Sequence, residues 1–135
     1  MNYHENKYNM LVIFDAQMNL FTTKQREGAS LQDYTKRFRI AREVFEALNG
    51  GPIKLNKILQ DNQGYTEAAT TIVEHEKNII LEKKTSKQYL AFIYINNADQ
   101  AKYGTIMAGL ITQQSLGNDQ YPRTIAEAAS VLSNH

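Results

Sequence analysis

QREGASLQDYTKRF, residues 25–38, is the stretch from which the rest of the chain can be read. Its first part, Gln25 to Ala29, sets Gly28 among polar residues and predicts a tight turn. Ser30 stands where a helix N-cap belongs, with Asp33 three residues on, close to the spacing of a capping box. From there Leu31, Tyr34, Phe38, Ala41, Phe45 and Leu48 alternate by threes and fours. That is one apolar face of a helix and the clearest periodic signal in the chain. Asn49-Gly50-Gly51 ends it, because glycine just past the last periodic residue is the usual C-terminal stop. A helix begun at Leu31 brings Arg37 back beside the turn, where its guanidinium can donate to side-chain and backbone oxygens. Gln25 and Arg37 are therefore expected to act as a pair.

Outward from this stretch, two prolines and seven glycines fall at element boundaries and favour an all-helical chain. A first helix is expected over Tyr8–Thr22, after a polar tail of seven residues. Leu11, Phe14, Met18 and Phe21 line one of its faces, with Met10, Ile13, Gln17 and Leu20 beside them. So broad an apolar surface predicts a helix enclosed on more than one side, by the core itself or by a partner chain. Pro52 suits the first turn of a third helix carrying Ile53, Leu55, Ile58 and Leu59. Asn62-Gln63-Gly64 is the next break. A fourth helix is expected over Thr66–Lys84, with Ala69, Ile72, Val73, Glu76, Ile79 and Ile80 on one face and Lys83 and Lys84 favourably placed for the helix dipole. Ser86–Asn96 follows as a short fifth helix. Its run Leu90–Ile95 suits a strand on propensity alone, but no second strand is visible to pair with it. A sixth helix opens after Asn97, with Gln100 as capping-box partner and Tyr103, Ile106, Met107, Leu110 and Ile111 as its buried stripe. Leu116–Pro122 is a loop, and Thr124 with Glu127 caps a seventh helix holding Ile125, Ala128, Ala129 and Leu132.

Composition bounds the function. With 135 residues, 42% of them hydrophobic, the chain fits one domain, and a domain of this size buries roughly two thirds of its unfolded surface. A net charge of +1 sets up no strong field for nucleic acid or an anionic membrane. Cysteine is absent, which excludes disulfides, thiol catalysis and zinc knuckles and fits a reducing compartment. No apolar run approaches the roughly 20 residues of a membrane span, and the polar start shows no signal peptide. The histidines, His4, His75 and His135, stand apart, so neither a catalytic triad nor a metal cluster is expected. Glu43 with Glu46, and Glu74 with Glu76, read as solvated helix faces. No phosphate-binding glycine loop is present, because Gly50-Gly51 lacks the flanking lysine. Lys36, Arg37, Arg39 and Arg42, with Lys24 and Arg26 ahead of them, are a candidate phosphate contact. Asp33, Glu43 and Glu46 share that helix and favour a mixed, solvated face.

Gln25, a turn with a glycine, Leu31, Asp33-Tyr34 and Arg37-Phe38 resemble the major homology region of retroviral and retrotransposon capsid proteins. In that family a Gln and an Arg, with a Gly and a Glu, brace the capsid C-terminal domain through a buried hydrogen-bonded network. The resemblance assigns those roles to Gln25 and Arg37, with Gly28 in the turn and Tyr34 and Phe38 as aromatic core positions. The glycine is displaced to Gly28, and the family's Glu falls at Ala29. Asn96-Asn97-Ala98-Asp99-Gln100, then Tyr103–Leu110, then Pro122–Leu132 is similar to the last two helices of the same domain. The phrasing of both regions is similar to Gag polyproteins of copia-type retrotransposons, particularly those of diatoms and other algae. About Ile53–Lys84 the retroviral pattern is not matched.

The resemblance implies an all-α compact bundle of about six to seven helices over residues 1–135, like a capsid C-terminal domain with a helical insertion at 53–84. It implies a non-enzymatic domain without cofactor or metal, which self-associates as a homodimer and in higher assemblies to build a cytoplasmic virus-like particle. RNA would be held weakly or by segments outside this chain, and the abrupt end at His135 fits a piece of something longer. The resemblance also implies that Tyr89, Phe92 and Ile93 face a second subunit, aromatic anchors being usual at interfaces. An ordinary core helix is the other reading of that segment. Two alternatives to the particle are a host gene descended from such a Gag and a helical adaptor or RNA-binding module.

Overall fold

The structure, a computed structural model, describes the backbone of residues 3–134 and the side chains of residues 9–134. Its elements are α1 (Tyr3–Thr22), α2 (Leu31–Asn49), α3 (Asn56–Gln60), α4 (Ile72–Asn96), α5 (Gln100–Ser115) and α6 (Ile125–Ser133), with no strand among the described residues. The all-α expectation holds. Met1, Asn2 and His135 lie outside the described residues, as do the side chain of His4 and much of the expected tail. Helix α1 already runs from Tyr3, because no glycine or proline interrupts it there.

Helix α2 forms as its sequence dictates. The Ser30 hydroxyl accepts the Asp33 N–H at 3.0 Å, satisfying one of the donors that a helix start leaves free. At the other end Gly50 adopts φ 76°, a left-handed conformation that glycine enters without steric cost, and its N–H closes on Glu46 O. Tyr34, Phe38, Ala41 and Phe45 are buried as their spacing requires, whereas Leu48, last in the series, is 42% exposed.

The centre of the molecule is aromatic. Tyr34 stacks on Tyr94 of α4 with ring centroids 4.9 Å apart, and Phe38 meets Tyr94 edge-on at 5.5 Å. Both phenols are satisfied: Tyr34 Oη donates to Tyr94 O at 2.6 Å, and Tyr94 Oη pairs with Thr35 Oγ1 at 2.6 Å. Leu20 of α1, Leu90 and Ile95 of α4, Tyr103 of α5 and Ile125, Ala128 and Leu132 of α6 complete this core. Helix α1 packs along α2, while α4 packs against α3, α5 and α6.

Helix α4 departs from expectation in two ways, in where it starts and in how far it runs. It begins at Ile72, where Thr71 and Glu74 form a full capping box, so Ala69 lies in a loop over 61–71. That loop is pinned by Asn78, whose side-chain amide donates to Thr66 O at 2.7 Å and accepts from Thr66 N at 3.0 Å. Finally, the expected fourth and fifth helices are one: Thr85 and Ser86 are small, buried and helical, and nothing there breaks the chain. At 25 residues it spans about 37 Å. The helical segment expected over 53–84 is thus part helix and part loop. Helix α3 is a single turn or so, because Pro52–Leu55 runs without helical structure.

The start of α5 also differs. Asp99, not Asn97, caps it, accepting from Ala101 N at 3.0 Å. Gln100 instead closes the end of α4, donating to the carbonyls of Asn96 at 2.9 Å and Ile95 at 3.1 Å. Helix α1 is covered on one side only: Leu20 is buried, but Met10, Leu11, Phe14 and Met18 are exposed, and nothing in the described residues encloses them.

Replacing Tyr34 by Phe is expected to cost about 1–3 kcal/mol in urea unfolding, since a buried carbonyl loses its donor. Burial raises both Tyr34 and Tyr94 above the ordinary tyrosine value. The folded state therefore holds these protons more tightly. Their contribution to stability is intact below pH about 10 and is lost as pH rises beyond it. Alkaline titration should accordingly show Tyr34 and Tyr94 ionising together with unfolding.

Candidate functional site

The turn that opens the homology-like stretch lies against the turn between α4 and α5. Gln25 joins them. Its backbone N–H donates to Asn97 O at 2.9 Å, its Oε1 accepts from Asp99 N at 2.9 Å, and its Nε2 donates to Ala29 O at 3.1 Å. Asn97 returns a bond in the same direction, its Nδ2 donating to Phe21 O at 2.9 Å. Gln25 and Asn97 are both buried, so this clamp works where water competes little. Gly28 sits in the turn at φ 78°, next to the Ala29 N–H that closes on Arg26 O at 3.0 Å.

Arg37 returns beside the turn as its helical position predicts, donating from Nη2 to Lys24 O at 2.7 Å. The pairing differs from expectation in one respect. Gln25 and Arg37 do not bond to each other; they hold adjacent residues of the same segment. Arg37 is half-buried, whereas Tyr34 and Phe38 are fully enclosed.

The three residues expected at a subunit contact are separated. Ile93, at 9% exposure, belongs to the core and is corrected from interface to packing residue. Tyr89 is half-buried and meets Phe21 edge-on at 6.4 Å. Only Phe92 faces outward, 40% exposed, with its ring against Tyr121 at 5.7 Å. Phe92 lies one residue from Ile93 and hence about 100° around the helix, enough to move a side chain from core to surface. It forms one wall of a groove of about 510 Å³, shared with Leu55, Ile58, Ile111 and Tyr121. The Tyr121 hydroxyl is buried there without a hydrogen-bond partner, and burial pushes its pKa up to about 12.

The chain matches no family model, no curated protein and no solved structure. What it offers chemically must be read from its own surfaces. No three His, Cys, Asp or Glu side chains among the described residues gather at metal-binding distance. His75 is exposed. No helix among the described residues is long and apolar enough to cross a membrane. Of the basic residues of α2, Arg42 pairs with Glu46 at 3.2 Å and Arg37 holds Lys24 O, while Lys36 and Arg39 are exposed and line a groove of about 900 Å³ with the acidic Glu43.

Sequence reasoning placed Asn97 at a helix cap and missed its part in the clamp. The Asn96-Asn97-Ala98-Asp99 turn is visible in the chain, but its partner lies over 70 residues away. The contact of Phe92 with Tyr121 was missed for the same reason, the signal being two aromatics on distant segments.

Gln25→Ala should cost about 2 kcal/mol, because it strands the Asp99 N–H and the Ala29 carbonyl. Arg37→Ala should cost about 1 kcal/mol, since water can replace much of what a half-buried guanidinium supplies. Denaturant titrations of both variants check the order. Tyr121→Phe should leave stability unchanged or raise it, because it removes a buried hydroxyl that has no partner.

Proposed function

We propose that the chain is a structural capsid domain of a copia-like Gag, non-enzymatic, which self-associates to build a retrotransposon virus-like particle. The observation that carries this reading is the Gln25 clamp. The two segments that resemble capsid proteins, the 25–38 stretch and the Asn96–Gln100 turn, are far apart in sequence yet meet at that one side chain. A brace of this kind keeps the start of α2 and the end of α4 in fixed relation. Surfaces on α4 are then presented rigidly, and a preorganised surface loses less entropy on association.

In this reading Phe92 and Tyr121 are the outward anchors of a modest contact between copies. Such contacts are weak singly, and many of them close a shell cooperatively. The near-neutral charge suits a domain that leaves RNA to other segments. A host-derived interaction module is the alternative, favoured by the loss of Ile93 from the anchor set, which leaves the contact small. In that case the domain pairs without forming particles. Both readings place the protein inside the cell.

Phe92→Glu should give a folded chain with reduced self-association, measured by light scattering over a concentration series with circular dichroism as the fold control. Unchanged association would remove Phe92 from the contact. Particles seen by electron microscopy for the unmodified chain, and none for the variant, would favour the capsid over the host-derived module.

A further inference from the structure

The N-terminal half of α4 carries an apolar face that is exposed at Ile72, Val73 and Ile80 and is bounded at Ile79 by a groove against the end of α2 and the 50–54 link. Ile72, Ile79 and Ile80 stand on the side of the helix that, about three to four turns beyond Ile80, carries buried Leu90 and Tyr94. The face therefore continues the core outward past the edge of the bundle. Ile80 is 65% exposed and Ile72 more so, with Val73 beside them. The 61–71 loop does not cover this side, since Asn78, which anchors it, points elsewhere around the helix. Lys83 and Lys87 are still exposed, and at Leu90 the bundle closes over. Ile79 and Lys83 line the groove that Gln17 of α1 enters, so the exposed Met10 and Phe14, on the same stripe of α1 as Gln17, flank this face.

The charges on the face say what fits it. Glu76 lies near its start, and Lys83 and Lys87 towards its end, while Glu74 is on another side of the helix and engaged in the Thr71 capping box. Glu76 and Lys83 sit on the same stripe as Ile79 and Ile80, both are exposed, and neither has an ion-pair partner among the described residues. Laid antiparallel on itself about a two-fold axis between Ile79 and Ile80, the face is self-complementary. Glu76 of each copy comes opposite Lys83 of the other, and the isoleucines meet at the centre. A parallel pairing would set lysine against lysine. Self-complementarity about a two-fold axis is what an isologous contact requires.

We propose that this half of α4, from Ile72 to Lys87, is a two-fold antiparallel interface with a second copy of the chain. The paired length is about 24 Å. Phe92 projects from another side of the same helix, so this contact is separate from the one proposed above and does not depend on it. A chain with two different self-contacts can propagate, whereas a chain with one stops at a dimer.

The test is charge reversal, read by sedimentation equilibrium at low salt in the unmodified chain and in the F92E background. Glu76→Lys and Lys83→Glu should each weaken association by about tenfold or more, since each change turns two symmetric attractions into repulsions. The combined E76K/K83E chain should regain most of the original affinity. Ile80→Glu should abolish this contact without unfolding, because the side chain is exposed. Single reversals without effect, or a double reversal that fails to restore association, would overturn the proposal. So would an unmodified chain that stays monomeric at every concentration. Association lost in F92E but indifferent to the charge reversals would overturn it while leaving the Phe92 contact standing.

Discussion

The structure depends on one buried contact, the stack of Tyr34 on Tyr94. Two large side chains from segments 60 residues apart lie face to face, and each has its hydroxyl satisfied within 2.6 Å. The arrangement carries a strict condition, because a phenol that missed its partner in this interior would cost as much as its ring contributes. Meeting it fixes the rotation of α2 and α4 as well as their spacing. Once α4 is locked at Tyr94, Leu90 and Ile95 turn inward. The end of α4 then comes to the Gln25 turn, and Phe92 is left facing out. The first half of α4 is held on one side only, by α3 and the Asn78–Thr66 bonds, so its Ile72 and Ile80 side stays exposed.

Much of this was legible in the sequence wherever the determining interactions are local. Helix α2 was readable from its face, its serine cap and its glycine stop, all within a few residues of the positions they govern. The same holds for Thr124 at the start of α6. The return of Arg37 to the turn followed from helical geometry alone. The unity of α4 was obscured by the polar stretch Lys83–Ser86, which resembles a boundary in composition yet contains no residue that breaks a helix. Its true start was written in the chain as the capping box Thr71-Ile-Val-Glu74, whereas the glycine break at Gly64 suggested a start at Thr66.

What the sequence did not hold was the identity of partners. Periodicity says which side of a helix is apolar, not what covers it. For α2 the answer is the core. For α1 and the first half of α4 the same kind of pattern faces outward at Met10, Phe14 and Ile80, which the chain's own core does not cover. The bond from Asn78 to Thr66 and the clamp from Gln25 to Asp99 join residues that no local rule brings together. Exposed apolar side chains gathered in this way on α1 and α4 are candidate contact surfaces.

The central claim is that this chain associates with itself through surfaces that α4 presents. Sedimentation equilibrium of the unmodified chain, over a concentration series at low and high ionic strength, tests it most directly. The account predicts reversible association that grows with concentration and weakens as salt screens the charged contact, with an apolar component that persists. A single species of 15.4 kDa at all concentrations and both salts would contradict it.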